Sequence, residues 1–385
     1  MTGAYAPFHE IVVDLEILAE NTRRLIQAMR PARLCAVLKN NAYGHGLLEC
    51  ARVIAAQGVE DFAVVNNREI AILRDEGGRL LEQARIWRIR PPLPWELEEA
   101  LERDWHVIEP VGSLEDAERA LSFAAPMPVS VTLDCSMGRE GFGVPSHLDD
   151  LVQAVRRLGP DRVRGLMSHL ANADGDKAAL ETTHAELDDF DEAFRAVRHW
   201  LPDECMTHVG NSAASLRLNR VREDYDMVRC GAILFGEATS NLVALPEGIR
   251  PCLRWHSWIA QVRDVPPGAR VGYGSRYVAK SEERLATLPV GYADGLKKTL
   301  ADGAGEVLVR GIRCPVRGGI SSSSAVISVA QVPGPPVQAG EEVVLIGEQA
   351  GQVQTPDELA RMAGTGHLDL QTGIVAPIRY SAVTP

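Results

Sequence analysis

The sequence predicts an α/β protein: a (β/α)8 barrel of the TIM type followed by a mostly β C-terminal domain. Three observations carry this expectation. Short apolar runs alternate with amphipathic helical stretches through about the first 245 residues, and eight such runs occur there. After about Leu245 the texture changes to brief β-rich runs punctuated by Gly and Pro. Eight strand–helix alternations in that length fit a closed barrel better than an open sheet.

In chain order, the expected barrel strands lie at residues 33–38, 62–65, 84–87, 106–109, 128–133, 163–168, 206–209 and 227–234. Most are short apolar runs bounded by polar or turn-forming sequence, the pattern of a strand covered on both faces. The stretches between them carry apolar residues at helical spacing; Leu187, Phe190, Phe194 and Val197 fall on one helical face. Beyond Leu245, Pro246, Gly248, Pro251, Pro266, Pro267 and Gly268 mark turns, and residues 306–309, 326–329 and 343–346 read as strands. The expected division is a barrel over residues 1–245 and a β-rich domain over 246–385, with the strand-like residues 10–15 (EIVVDL) available to pair with the later domain.

Composition narrows the class of function. The formal net charge is −12, and a surface of that sign repels phosphate backbones, so no nucleic-acid partner is expected. No apolar run reaches the length of a membrane span, and residues 1–7 lack the basic-then-apolar order of a secretory signal. A cytoplasmic protein without membrane contact is therefore expected. The seven cysteines (35, 50, 135, 205, 230, 252 and 314) are scattered and without CxxC spacing. That points to reduced thiols, with neither a disulfide framework nor a metal site.

The residues that carry chemistry collect where the apolar runs end. Lys39 follows the run LCAVL and precedes NNAYGHG. A lysine at the carboxyl end of the first barrel strand faces the mouth where barrel enzymes assemble their sites. Partly desolvated there, its amine gives up a proton more readily and becomes a nucleophile. On position alone the plainer reading is a rim lysine that keeps its ammonium in water; its neighbours change the balance. The sixth, seventh and eighth runs lead into Ser168-His169-Leu170, Gly210-Asn211-Ser212-Ala213 and Arg229-Cys230-Gly231-Ala232. The loops after the last two strands of a barrel are a common phosphate site, built from backbone N–H groups and small residues. Ser212 fits as a helix cap that also donates its hydroxyl to the anion. Tyr43, four residues after the lysine, fits as a phosphate ligand or as a buried, hydrogen-bonded tyrosine. A nucleophilic lysine opposite a phosphate admits two chemistries: a Schiff-base aldolase acting on a sugar phosphate, or a bound pyridoxal phosphate. Spacing does not choose between them.

A resemblance does. The segments AVLKNNAYGHG (36–46), DCSMGREGFG (134–143), SHLANADG (168–175), HVGNSA (208–213), DMVRCGAILFG (226–236), VGYGSRY (271–277) and PVGYADG (289–295) stand in the order and spacing of the alanine racemase family. The sequence resembles that family, fold type III of the pyridoxal-phosphate enzymes, over nearly its whole length. LCAVLK, IRCPV and GAILFGEATS look closer to its broad-specificity amino-acid racemases. The resemblance implies pyridoxal 5'-phosphate held as a Schiff base on Lys39, with Lys39 also one proton-transfer base and Tyr273 the opposing base. It implies a homodimer with shared active sites, because Tyr273 would enter from the second subunit. Arg229 would face the pyridine nitrogen, and a guanidinium, which can only donate, leaves that nitrogen unprotonated. His169 would hydrogen-bond Arg229 or tune Tyr273. Arg139 would orient the cofactor phenolate and the substrate carboxylate, while Tyr43, Ser212 and the Gly231–Ala232 backbone would hold the phosphate. Tyr292 would line the substrate entrance. Two bases on opposite faces are what racemisation needs, since one removes the α-proton and the other delivers a proton to the far side.

The sequence also departs from the family. Where a Met-Asp pair usually closes the substrate pocket, residues 321–324 are all serine, with Ser322 at the methionine position and Ser323 at the aspartate position. A wider and less negative pocket follows, suited to a larger or more polar amino acid. Thr132 stands where many members carry a carbamylated lysine that braces the arginine, so Arg139 needs another support, such as a bound anion. Leu368 stands where a C-terminal tyrosine often binds phosphate, and Asn41 replaces a common aspartate. The leading expectation is a two-base amino-acid racemase not confined to alanine. The alternatives are another fold type III enzyme acting at the α-carbon, an aldolase or hydroxymethyl transferase, and a non-enzymatic carrier of the cofactor. The carrier would resemble the barrel alone.

Overall fold

The computed structural model describes residues 6–381. Residues 1–5, part of the stretch read above as lacking a signal, lie outside the described residues. The chain forms two compact units. One comprises Ile17–Ala42 and Gly46–Pro251; the other takes in the described residues up to Glu16, Tyr43–His45 and the chain from Cys252 onward.

The first strand, β1 (His9–Asp14), belongs to the second unit. The first unit contains β2 (Arg33–Val37), β3 (Asp61–Val64), β4 (Arg85–Arg88), β5 (Val107–Val111), β6 (Val129–Asp134), the two-residue β7 (Phe142–Gly143), β8 (Val163–Met167), β9 (Met206–His208) and β10 (Met227–Cys230). Their parallel ladder runs β10-β2-β3-β4-β5-β6-β8-β9, with β7 beside β6. The remaining seam is bridged by Asp226 N donating to Thr207 O at 3.0 Å and Arg229 N donating to Gly210 O at 2.9 Å. The result is a nearly closed eight-stranded barrel. Strands β3, β5 and β10 are buried at every residue, as a parallel sheet covered on both faces requires.

Helices follow the strands and bury one stripe each. In Lys177–Val197, Leu187, Phe190 and Val197 are fully buried while Phe194 is half-buried at the edge of the stripe. Each fully buried side chain of this size contributes roughly 1.5–3 kcal/mol. The Asp176 carboxylate starts this helix by accepting from Ala179 N.

One expected strand is corrected. The run 227–234 is strand only as far as Cys230; Ala232–Phe235 is a 3-10 turn closed by Leu234 N donating to Gly231 O at 2.9 Å. Apart from Arg229 the run is apolar, and the turn is as deeply buried as the strand, so hydrophobicity alone hides the change at Gly231.

The barrel interior is layered. A Cβ on Gly165 would lie 2.8 Å from Trp87 Cζ3, 3.0 Å from His208 Nε2 and 3.0 Å from Ser130 Oγ, so these side chains fill one layer around a glycine. On the opposite, helix-covered face of β4, Arg88, fully buried, donates Nε to Glu109 Oε2 at 2.7 Å and Nη2 to Glu109 Oε1 at 3.0 Å and to Asn67 Oδ1 at 2.7 Å.

The second unit contains β1, β11 (Leu253–Trp258), β12 (Gln261–Val265), β13 (Arg270–Val271), β14 (Tyr277–Val278), β15 (Glu283–Leu288), β16 (Glu306–Val309), β17 (Ile312–Pro315), β18 (Ala325–Ser328), β19 (Glu342–Gln349), β20 (Gln352–Gln354) and β21 (Ile378–Ser381). Its larger sheet runs β17-β16-β19-β11-β1-β21, with β20 on β19. Strand β1 lies antiparallel to β11, Val13 opposite Leu253, and parallel to β21, Ile11 beside Ile378. A smaller sheet runs β12-β15-β18, and β13 pairs with β14 across the segment that carries Tyr273. Among the described residues no helix is long and apolar enough to cross a membrane.

Candidate active site

Lys39 starts an unusual loop at the carboxyl end of β2. Asn40, Asn41, Ala42 and Tyr43 have φ of 54°, 56°, 53° and 53°, one left-handed turn. Asparagine tolerates that region, whereas alanine and tyrosine adopt it at roughly 1–2 kcal/mol per residue. The loop is held in place by its surroundings. The buried Glu69 carboxylate accepts from Asn40 N at 2.6 Å and from Val65 N at 2.9 Å, and Asn41 Oδ1 accepts from Leu47 N at 2.9 Å. Burial pulls the Lys39 amine below its ordinary pKa, and the Arg139 and Arg229 guanidiniums pull it further, against Glu69 and Glu140. Tyr43 is buried, and at Gly44 (φ 88°) a Cβ would meet Gln371 O at 2.9 Å.

Arg229, on β10, is buried without a carboxylate partner among the described residues. Its Nη1 donates to His208 O at 2.6 Å and meets His208 Nδ1 at 2.9 Å; its Nη2 donates to Ser168 O at 2.7 Å and meets His169 Nδ1 at 3.4 Å. Desolvation lowers this guanidinium to about 10, which leaves it protonated at neutral pH. The same burial, with the Arg229 charge beside it, pushes His169 down to about 3 and His208 well below its usual value. Both imidazoles are therefore neutral and can accept from the guanidinium. His208 is a site residue that the sequence does not single out. Its signal is present, since the motif HVGNSA begins with it, but only the closed barrel shows that it lies under Arg229 and packs edge-on to Trp87, ring centres 4.8 Å apart.

Ser212 needs a correction as well. The cap of helix Ser212–Arg217 is Asn211, whose side chain accepts from Ala214 N at 3.0 Å. Ser212 is the first helical residue, and its hydroxyl accepts from Gly231 N at 3.1 Å. The two loops after β9 and β10 are thereby tied together by the Ser212–Gly231 hydrogen bond.

Arg139 lies half-exposed in the loop after β6, and the Glu140 carboxylate accepts from its Nε and Nη2. Neither Glu140 nor Glu69 stands out in the sequence; no spacing rule marks a carboxylate that serves an adjacent arginine or a loop amide 29 residues away.

In the second unit Tyr273 opens a 3-10 turn, Tyr273–Ser275, and is 75% exposed in the single chain. Tyr292 is also exposed and carries Lys298 Nζ 3.9 Å from its ring centre. The stretch from Gly319 into the serine segment lies against both tyrosines. A Cβ on Gly319 would lie 3.6 Å from Tyr273 Cβ, while Ser321 O accepts from Tyr292 N at 2.9 Å and Ser322 O from Ala293 N at 3.0 Å. Ser321 Oγ is spent inside the turn, accepting from Ser324 N at 2.9 Å; Ser322 and Ser323 are exposed.

Known proteins share this plan. Residues 13–239 match the model of the alanine racemase N-terminal domain, and residues 252–381 that of the alanine racemase C-terminal domain. The chain belongs to the alanine racemase family. It is 33% identical over 361 residues to an alanine racemase of Syntrophobacter fumaroxidans, covering 92% of each chain, and 32% identical over 367 residues to one of Halothermothrix orenii, covering 94% and 93%. Among solved structures it is similar to alanine racemase from Bacillus anthracis with bound L-Ala-P (TM-score 0.87, 26% identity, 100% and 97% covered). It is also similar to alanine racemase from Streptomyces coelicolor A3(2) (TM-score 0.85, 30% identity, 98% of each chain).

Membership makes the protein a racemase that uses pyridoxal phosphate. The first unit of this alanine racemase family member fits that cofactor on its own geometry. It offers a desolvated amine at Lys39, a buried guanidinium without a carboxylate, and two loops joined by small residues where a phosphate needs backbone N–H donors.

Proposed function

We propose that the enzyme interconverts L- and D-amino acids with two opposed bases, Lys39 and Tyr273, in active sites completed by a second copy of the chain, and that its substrates extend beyond alanine to larger or more polar side chains. Pyridoxal phosphate supplies the electron sink that makes an amino-acid α-proton acidic. Arg229 limits that sink: its contacts with the histidines and carbonyls use Nη1 and Nη2, leaving Nε–H to donate to the ring nitrogen. Because a guanidinium stays protonated, Arg229 would donate a hydrogen bond to the ring nitrogen of the bound cofactor without passing it a proton, which would disfavour competing reactions at the α-carbon. Ser212, Gly231, Ala232 and Tyr43 hold the phosphate. Lys39, its pKa lowered by burial and two guanidiniums, takes or returns the α-proton on one face. Tyr273 does so on the other. Arg139 orients the substrate carboxylate, and His169, neutral at working pH, accepts from Arg229 and holds it in place.

The observation that carries the substrate reading is the serine segment. It accepts hydrogen bonds from the backbone of Tyr292 and Ala293, follows Gly319, which lies against Tyr273, and has small hydroxyls at its two exposed positions. Small side chains leave volume for a longer substrate, and hydroxyls offer it hydrogen bonds. The test is α-proton exchange in D2O across a panel of L- and D-amino acids, with chiral analysis, for the native enzyme and for Ser322→Met with Ser323→Asp. Inversion of several amino acids by the native enzyme is expected. The double variant should lose about 10-fold in kcat/KM for the larger ones relative to alanine. Activity on alanine alone would refute the substrate reading, and exchange without inversion would move the assignment to an aldolase or hydroxymethyl transferase.

A further inference from the structure

The loop that carries Arg139 is fixed from within. Asp134 Oδ1 accepts from Ser136 N at 3.1 Å and from Gly138 N at 3.0 Å. Gly141, at φ 117°, lies so close to β6 that a Cβ would meet Leu133 C at 2.7 Å and Asp134 N at 2.8 Å. On this rigid return the Glu140 carboxylate takes Nε–H and Nη2–H of Arg139, fork to fork. The Glu140 side chain is 11% exposed, against 49% for Arg139. Across from it stands Thr132, buried and with no hydrogen-bond partner for its hydroxyl among the described residues, on a cavity of about 210 Å³ that Asp116, Glu140 and Gly141 also line.

We propose that Glu140 is the positioning residue for Arg139, a carboxylate placed next in the chain that sets the guanidinium plane without help from position 132. The proposal rests on the reading of Arg139 as a substrate-facing group. Two of the five guanidinium N–H bonds are committed to Glu140, which leaves three for a ligand carboxylate or phenolate. The anion expected from the sequence as a brace is disfavoured, because two carboxylates, Asp116 and Glu140, already line the cavity where it would sit. Glu140 also acts at a distance. The charged groups that act on Lys39 are Arg139, Arg229, Glu69 and Glu140, so Glu140 cancels part of the field that Arg139 imposes on the amine.

The experiment compares the native holoenzyme with Glu140→Gln, Glu140→Asp, Arg139→Gln and the Arg139→Gln/Glu140→Gln pair. The readouts are KM and kcat for L-alanine, the pH midpoint of the visible absorbance of the bound cofactor, and the thermal midpoint as a control on folding. Glu140→Gln should raise KM about 10-fold with a smaller change in kcat. It should also move the absorbance midpoint down by about half a unit, because Arg139 then acts uncompensated. Glu140→Asp should restore most of both, and the pair should be no worse than Arg139→Gln alone. If Arg139→Gln impairs KM while Glu140→Gln matches the native enzyme, the Glu140 role is overturned and the reading of Arg139 stands. If Arg139→Gln itself leaves KM and kcat unchanged, that reading falls and the proposal with it. Equal losses in Glu140→Gln and Glu140→Asp with an unmoved absorbance midpoint would mark a merely structural contact and also overturn it.

Discussion

Lys39 can serve as a base only if its amine spends time uncharged, and burial together with Arg139 and Arg229 favours the neutral form. If Lys39 is also the anchor of the cofactor, Lys39→Ala should lack the visible band of bound pyridoxal phosphate after dialysis; a variant that keeps the band would rule the anchor out. Tyr273 has a different signature. With one base on each face, Tyr273→Phe should slow α-proton removal by about 10²–10⁴ for one enantiomer and much less for the other. Equal slowing in both directions, read by deuterium incorporation from D2O, would count against two opposed bases. The histidines serve by staying neutral. A protonated His169 or His208 would place a second positive charge against Arg229 in a buried setting, and the depression of both imidazoles reflects that cost.

At the scale of elements, strand ends place the chemistry and strand interiors hold it rigid. The left-handed turn at 40–43 is unfavourable by itself and persists because Glu69, on the helix Asn67–Asp75, accepts from the loop and from Val65. Between the barrel strands and their covering helices, Arg88 donates two hydrogen bonds to Glu109, yet burial still pushes the Glu109 carboxyl up. The pair is thus costly to form and more costly to halve. Glu109→Ala, which leaves the buried Arg88 charge only the long 3.5 Å contact with Glu96, should destabilise the protein by about 3–5 kcal/mol. Denaturant unfolding that shows less than about 1 kcal/mol of change would mean water reaches Arg88.

At the scale of the whole molecule, the proposed site residues fall in different compact units: Lys39, Arg229 and Ser212 in the barrel unit, Tyr273, Tyr292 and the serine segment in the β-rich one. The proposal that a second copy completes each site makes a direct prediction. Lys39→Ala and Tyr273→Phe, each nearly inactive, should recover about a quarter of native activity when unfolded together in equal amounts and refolded. Half of the random dimers are then mixed, and each holds one intact site. No recovery would place both bases in one chain.

Much of this architecture is legible in the amino-acid sequence alone. The barrel strands fall within a few residues of their expected positions because a parallel strand covered on both faces is a short apolar run between turn residues, and eight of them leave few alternatives. The one overextended run fails where a buried 3-10 turn shares a strand's hydrophobicity. The motifs then supply candidate residues at the strand ends, because catalytic side chains must follow the strands that aim them. Periodicity does not show how those side chains meet. His208 under Arg229, Glu69 behind the Lys39 loop and the Ser212–Gly231 hydrogen bond join residues far apart in sequence, and Glu140 against Arg139 depends on the direction of two adjacent side chains. Such contacts depend on chain closure and on side-chain direction, so a linear pattern of apolar and polar residues names the participants while the folded barrel selects their partners.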